Sequence, residues 1–149
     1  MKRIRRILHP SDFSSASVAA FTRAVESAKA SGAELILVHV MSPVVPLAGD
    51  GYVSPRVYED LQKAARAQGQ KGLDALLAKA KKARVRATGL LLEGTAWEQI
   101  VRAARSKRAD MIVMGTHGRS GLARFFLGSV AERVIGTAPC PVLTVRGKR

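Results

Sequence analysis

One stretch indicates the fold: Met111-Ile112-Val113-Met114-Gly115-Thr116-His117-Gly118. Its four consecutive apolar residues predict a short strand that is covered on both faces, as strands of parallel sheets are. The glycines that follow allow positive φ angles and let the backbone come close to a ligand. In open parallel sheets, ligands bind outside the carboxyl ends of the strands. The stretch therefore predicts a ligand site directly after a buried strand.

Similar apolar runs occur on both sides of this stretch. The predicted strands span residues 3–8, 35–40, 85–92, 111–114 and 141–145. The predicted helices run from Ala16 to a stop at Gly32 and over residues 57–82, 96–106 and 129–135. Ser14 is expected to cap the first helix, and Gly69 and Gly72 to weaken the middle of the second. Five strands alternating with four helices predict an α/β fold with a mainly parallel sheet and right-handed crossovers.

Length and composition limit the class of protein. The 149 residues, 47% of them apolar, predict one domain over residues 1–149 with a core of its own. The single cysteine, Cys140, excludes an intramolecular disulfide and is expected to be a small packed residue. No apolar run approaches the roughly 20 residues that span a bilayer. The basic residues 2–6 lead into His9-Pro10 with no apolar region of the signal-peptide kind, so we expect a cytoplasmic protein without a membrane partner.

The charge is strongly positive, with 25 Lys and Arg against 11 Asp and Glu and a net charge of +14. The bases fall into separate groups along the chain, at residues 2–6, 79–86, 102–108 and 148–149. Aromatic residues are scarce and are not interleaved with the bases, which argues against stacking on single-stranded nucleic acid. The favoured interpretation is a solvated basic surface with no specific nucleic-acid partner. Non-specific binding of polyanions at low salt is still expected.

The glycines after residue 114 have a possible chemical role. Gly115 and Gly118 favour a backbone nest for anions, and Gly128-Ser129 stands at a predicted helix start, where free N–H groups favour phosphate. From the glycines alone, a phosphate cradle and a purely structural turn are equally good interpretations. Asp12, after the first strand, has a carboxylate that can accept hydrogen bonds from a ribose or an adenine amino group. The alternative is an ordinary Asx turn or helix-capping acid.

The sequence does not match the motifs of other common nucleotide-binding, catalytic or metal sites. The glycine spacing is neither a dinucleotide fingerprint nor a Walker loop, and no serine occupies a nucleophile elbow. His9, His39 and His117 are widely spaced and are interpreted as structural or loop residues. No catalytic residue and no metal ligand is predicted.

Four segments together resemble the universal stress protein family: residues 7–14, 37–40, 110–119 and 140–145. The resemblance covers nearly the whole chain. Nucleotide-binding members carry the motif Gly-x2-Gly-x9-Gly-Ser/Thr, which here is Gly115, Gly118, Gly128 and Ser129 with the full spacing. This motif is far more specific than a single pair of glycines.

The resemblance implies an open five-stranded parallel sheet of order 3-2-1-4-5 with helices on both faces, Rossmann-like and similar to the adenine nucleotide alpha hydrolases. It implies a homodimer through the last strand, residues 142–145, and ATP as the ligand, with Mg or Mn. The implied nucleotide contacts are Pro10, Ser11, Asp12, Val40, Met114, Gly115, Gly118, Arg119, Ser120, Gly128, Ser129 and Val130.

The implied function is that of an ATP-binding stress-response or signalling module, which changes conformation or partner affinity when the nucleotide binds. One alternative is a slow ATPase, although no residue with a clear role in phosphoryl transfer is present. Another is a basic polyanion-binding domain that keeps the fold without using ATP.

Overall fold

Five strands form one parallel sheet in the order β3-β2-β1-β4-β5. The structure is a computed structural model that describes residues 2–43, 53–117 and 127–147. The strands are β1 (Arg6–Pro10), β2 (Glu34–Met41), β3 (Ala87–Glu93), β4 (Met111–Gly115) and β5 (Val142–Val145). All five predicted strands and the expected order are confirmed.

Two predicted strand starts are wrong by a few residues. The first strand begins at Arg6, not at residue 3, and the N–H groups of Arg5 and Arg6 donate to Oδ2 of Asp110 at 2.9 and 3.0 Å. The third begins at residue 87, not at residue 85, because Val85 donates its N–H to Ala80 O (3.0 Å) and so belongs to the turn that ends the preceding helix. At the first strand the N–H groups are taken by a carboxylate that is distant in sequence, and at the third by a local turn.

Four helices connect the strands: α1 (Val18–Ser31), α2 (Pro55–Lys82), α3 (Ala96–Ser106) and α4 (Ser129–Thr137). Gly32 ends α1 in the left-handed conformation (φ 69°), as predicted. Ser14 is the N-cap of a 3-10 turn over Ser15–Ser17 that leads into α1, so its predicted role is confirmed in part. Ser17 is the N-cap of α1 itself, and the Ser14 hydroxyl donates to Asp12 Oδ1 instead of making a capping hydrogen bond.

The helices cover both faces of the sheet. Alternate side chains of each buried strand point to opposite faces, so β1 contributes Ile7 to one core and Leu8 to the other. The first core lies under α1 and α2 and the second under α3 and α4. Cys140 is half-buried against the second core, and this burial raises the pKa of its thiol.

The two glycines of α2 lie close to side chains of the sheet and of the turn after β1. A Cβ added to Gly72 would come within 2.5 Å of the Phe13 ring, and one added to Gly69 within 2.8 Å of Leu91. The helix continues unbroken through both positions. The low helix propensity of glycine is therefore outweighed here by packing that a larger residue would block.

Some large apolar side chains of the helices are not buried. Val57 and Leu61, in the first two turns of α2, are each about half exposed, at 48% and 49%. Val18 of α1 is 57% exposed. None of the helices within the described ranges combines the length and apolar character required to cross a membrane.

Candidate functional site

A cavity of about 390 Å³ opens at the carboxyl ends of β1, β2 and β4. Its size falls in the range of small-molecule sites, about 300–1,000 Å³. The lining residues are Pro10, Ser11, Asp12, Ser17, Val38, Val40, Ala96, Ile100, Met114, Gly115, Thr116, His117, Gly128, Ser129, Val130 and Ala131. The three strand ends expected to form the site therefore do converge.

Most of the predicted contact residues meet in this cavity: Pro10, Ser11, Asp12, Val40, Met114, Gly115, Gly128, Ser129 and Val130. The other three, Gly118, Arg119 and Ser120, lie outside the described residues. Whether any of these residues contacts a ligand stays a prediction, but their common location is a property of the fold.

The turn after β1 is anchored to β2. Ser11 donates its N–H to Val38 O at 2.8 Å, and the ring of His39 donates from Nδ1 to Ser11 O, also at 2.8 Å. Phe13 donates its N–H to Ser11 Oγ at 3.1 Å and stacks on the His39 ring, with 4.2 Å between centroids. These contacts hold Phe13 at φ 63°, a rare conformation for a bulky residue. They fix the backbone on both sides of Asp12.

Asp12 both supports the turn and faces the cavity. Its Oδ1 accepts hydrogen bonds from the N–H of Ser14, at 3.0 Å, and from the Ser14 hydroxyl. The Asx-turn interpretation is thus confirmed. Because the same side chain lines the cavity, this role does not exclude ligand binding. A carboxylate has about four lone-pair sites, so it can serve both.

The start of α4 forms the opposite wall. Gly128 is the N-cap and Ser129 the first helical residue, and the first N–H groups of a helix have no partner within it. Together with the helix dipole they favour an anion. Gly128 donates its N–H to Thr116 O at 2.7 Å, and a Cβ added to Gly128 would lie 2.9 Å from that oxygen. A side chain here would therefore push α4 away from the end of β4.

Gly115 has more space around it than Gly128. A Cβ added to Gly115 would lie 3.4 Å from its nearest neighbour, the carbonyl oxygen of His117. The protein itself therefore leaves space for a small side chain at this position. The absence of one leaves the end of β4 open toward the cavity.

Between these polar ends the wall is apolar. Val38 and Val40 from β2, Met114 from β4 and Ile100 from α3 supply it. Ile100 lies within the helix predicted over residues 96–106, but the sequence analysis did not connect it with the site. No local signal marks it, because its position in the cavity depends on how α3 packs against β2. Ser17 and Ala131 were missed because their positions likewise depend on packing between elements, whereas Thr116 directly follows Gly115 and could have been included with the glycine motif.

His9 lies inside β1 and is fully buried. Its Nδ1 donates to Val113 O at 2.8 Å, so Nε2 is the unprotonated nitrogen, and it has no hydrogen-bond partner. Burial lowers the pKa of His9 to about 4, although the Val113 carbonyl and the charge of Asp12 both act to raise it. His9 is therefore neutral at physiological pH, as its structural interpretation requires.

The sequence model of the universal stress protein family matches residues 3–146. The chain belongs to the universal stress protein family. A universal stress protein of Methanocaldococcus jannaschii, MJ0531, is 39% identical over 144 residues, which cover 95% of this chain and 82% of that protein. The family resemblance seen in the glycine motif is thus confirmed over nearly the full length.

Solved structures of universal stress proteins share the fold. The protein UspA from Lactobacillus plantarum is 25% identical and superposes with a TM-score of 0.79, covering 98% of this chain and 100% of that one. The universal stress protein from Archaeoglobus fulgidus in complex with dAMP is also 25% identical, with a TM-score of 0.65 and coverage of 97% and 100%. That relative therefore binds an adenine nucleotide.

Proposed function

We propose that this chain is an ATP-binding universal stress protein that acts as a nucleotide-dependent stress-response or signalling module. The observation that carries the proposal is the cavity itself. It joins an apolar wall, a carboxylate on a fixed turn and a helix N-terminus within one volume of about 390 Å³. These are the three chemistries that an adenine ring, a ribose and a phosphate chain require.

The adenosine part belongs at the ends of β1 and β2. The apolar surfaces of Val38, Val40 and Ile100 suit the adenine ring, with Val40 at its edge. Asp12 would accept a hydrogen bond from a ribose hydroxyl, and Gly115 would let the ribose approach the end of β4. Pro10, Ser11 and Met114 complete the surroundings of the nucleoside.

The phosphates belong at the start of α4. The N–H groups of Ser129 and Val130 and the Ser129 hydroxyl supply donors there, and the dipole of α4 adds a partial positive charge. None of the described lining residues is Lys or Arg, so the charge of a triphosphate needs further compensation. We assign that role to Arg119 and Ser120, together with Gly118 and a Mg²⁺ or Mn²⁺ ion that accompanies the nucleotide. The described residues hold no cluster of His, Cys, Asp or Glu that would bind a metal by itself.

A short relay of hydrogen bonds connects the phosphate end to the edge of the sheet. Gly128 donates to Thr116 O at 2.7 Å, and Thr116 donates its own N–H to Val145 O at 3.0 Å. Val145 ends β5, the edge strand through which we expect the chain to dimerise. A ligand that repositions Gly128 therefore has a direct route to the geometry of the dimer.

The first experiment is to denature the purified protein, identify any released nucleotide by chromatography, and titrate the stripped protein with ATP and Mg²⁺ at moderate salt. Gly128→Ala brings a methyl group within 2.9 Å of Thr116 O, so we expect ATP affinity to fall about tenfold or more, at least about 1.4 kcal/mol. Gly136→Ala is the matched control on the same helix, because a Cβ there meets nothing within 4 Å.

Loss of binding in Gly128→Ala with retention in Gly136→Ala supports the site. Asp12→Ala should also weaken binding. If both Gly128→Ala and Asp12→Ala bind ATP as the unmodified chain does, the cavity is not the nucleotide site. If the unmodified chain neither carries nor binds adenine nucleotide, the glycine motif is a structural turn.

A further inference from the structure

Basic groups that are separate along the chain lie together in the structure. In a parallel sheet all strands begin at one edge, and the helices that connect them end at that same edge. Three basic segments stand at these positions: residues 2–6, which lead into β1 and include its first residue, residues 79–86 at the end of α2 and before β3, and residues 105–108 at the end of α3 and before β4. They contain about half of the 25 Lys and Arg residues. We call this surface the basic edge.

Backbone hydrogen bonds tie the three segments into one surface. Leu35 donates its N–H to Arg86 O (2.9 Å), Glu34 to Arg5 O (2.9 Å) and Asp110 to Arg6 O (2.8 Å). The guanidinium of Arg6 also donates from Nη1 to Lys107 O at 3.3 Å. The starts of β3, β2, β1 and β4 therefore follow one another along the basic edge. At about 4.8 Å between strands, this line is about 15 Å long.

The positive charge of the basic edge is mostly uncompensated. Every Lys and Arg in the three segments is exposed, and the segments contain no acidic residue. Two carboxylates lie beside them, Glu34 and Asp110. Asp110 is occupied by the N–H groups of Arg5 and Arg6 and by Lys2 at 3.4 Å, and these contacts lower its pKa. Within the described part of the chain, Lys2 is the one cation of the basic edge that forms an ion pair.

Helix stability explains only part of this pattern. Lys79, Lys81 and Lys82 lie in the last turn of α2, where cations complement the helix dipole. Arg84 and Arg86 follow the helix, and residues 2–6 precede a strand, so the dipole does not account for them. Arginine is also the side chain best suited to bind phosphate through two parallel hydrogen bonds.

We propose that the basic edge binds the phosphodiester backbone of double-stranded nucleic acid without reading its sequence. A duplex carries one charge per about 1.7 Å of its axis, so the line of four strand starts spans about nine phosphates. No aromatic residue occurs in the three segments, which leaves no platform for stacking unpaired bases. The large apolar side chains that are exposed elsewhere on the described surface are also absent from them, whereas surface binding to a membrane combines cations with apolar insertion.

This surface is separate from the cavity of the proposed function. The cavity lies at the carboxyl ends of the strands and the basic edge at their amino ends. A test of nucleotide binding at the cavity and a test of duplex binding at the basic edge can therefore give independent results.

The test compares two triple variants of the full chain that lose the same charge. The edge variant changes three residues of the basic edge to Gln: Lys81, Arg84 and Arg86. The control variant changes to Gln three exposed cations in the earlier turns of α2: Arg56, Lys63 and Lys71. Binding to a fluorescent duplex of mixed sequence is measured from about 50 to 200 mM salt. The slope of log Kobs against log salt should become less steep by about 3 in the edge variant, since each phosphate contact contributes about 0.9. Its affinity should fall at least about tenfold at the higher salt, and the control variant should change by less than about threefold.

A variant that removes negative charge from the basic edge should bind the duplex more tightly, and this provides a second test of the proposal. Glu34→Gln removes a carboxylate from the basic edge and keeps an acceptor for the Thr88 hydroxyl, which lies 3.4 Å from Glu34 Oε1. We expect duplex affinity to rise, and Gly128→Ala, at the cavity, to leave it unchanged. Circular dichroism checks that each variant is folded.

Equal losses in the edge and control variants would overturn the proposal, because net charge alone would then explain binding. The proposal would also be overturned if the chain bound a single strand of the same sequence more tightly than the duplex. Binding to vesicles that contain phosphatidylglycerol, with none to the duplex, would instead assign the basic edge to a membrane.

Discussion

The buried histidine of β1 predicts how the stability of this protein depends on pH. His9 is fully buried, and burial lowers its pKa from 6.5 to about 4. The unfolded chain therefore binds a proton on this histidine below pH 6.5, while the folded chain does so only below about pH 4. Between these values unfolding takes up a proton, so the free energy of unfolding rises with pH and becomes level above 6.5.

The magnitude follows from the size of the shift. One pKa unit corresponds to about 1.4 kcal/mol, so the full effect over the window is about 3 kcal/mol. Between pH 7 and pH 5 the expected loss is about 2 kcal/mol. Against a typical total of about 5–15 kcal/mol, this is a large change from one side chain.

The assay is urea unfolding at pH 7 and pH 5, followed by the fluorescence of Trp97 and by circular dichroism. With a slope of about 2 kcal/mol per M of urea, the midpoint should fall by about 1 M. His9→Asn removes the titrating ring and keeps an N–H donor within reach of the Val113 carbonyl. It should be less stable at pH 7 because it leaves a cavity, but its stability should change little between the two pH values.

His39→Asn is the matched control. His39 also donates from Nδ1 to a backbone carbonyl, that of Ser11, but it is only half-buried. This variant should keep the pH dependence of the unmodified chain. If His9→Asn keeps it too, the buried imidazole is not its source, and our account of the environment of His9 is wrong.

Two further predictions concern packing and assembly. Gly72→Ala should destabilise the protein by about 1–3 kcal/mol in urea unfolding, although alanine favours helices, because its Cβ would lie 2.5 Å from the Phe13 ring; stability equal to that of Gly136→Ala would contradict this. Leu143→Glu should convert the expected dimer to a monomer in analytical ultracentrifugation, since Leu143 is 39% exposed on the edge strand β5 and a charge there opposes strand pairing. An unchanged dimer would place the interface elsewhere on the chain.

Local patterns in the sequence predicted the elements, and the binding rule for parallel sheets together with the family resemblance predicted where the cavity lies. The apolar run at Met111 and the glycine at 115 predicted the end of β4, and Gly32 predicted the end of α1. Gly115, Gly128 and Ser129, the residues that the family motif identifies, all line the cavity. The predicted role of Gly118, Arg119 and Ser120 falls outside the described residues.

Contacts between distant segments were not predictable in this way. Nothing near Gly72 in the sequence shows that the Phe13 ring occupies the space of its missing side chain. Nothing near Ile100 shows that it forms a wall of the cavity.

The sequence by itself determined which residues form strands and helices, and that the glycine motif ends a strand, since those properties depend on neighbours along the chain. Tertiary structure decided which distant residues meet. It gathered three basic segments at the amino ends of the strands and the polar groups of the cavity at the carboxyl ends. The physical reason is the parallel sheet, which sorts residues by their position along each strand and not by their distance in sequence.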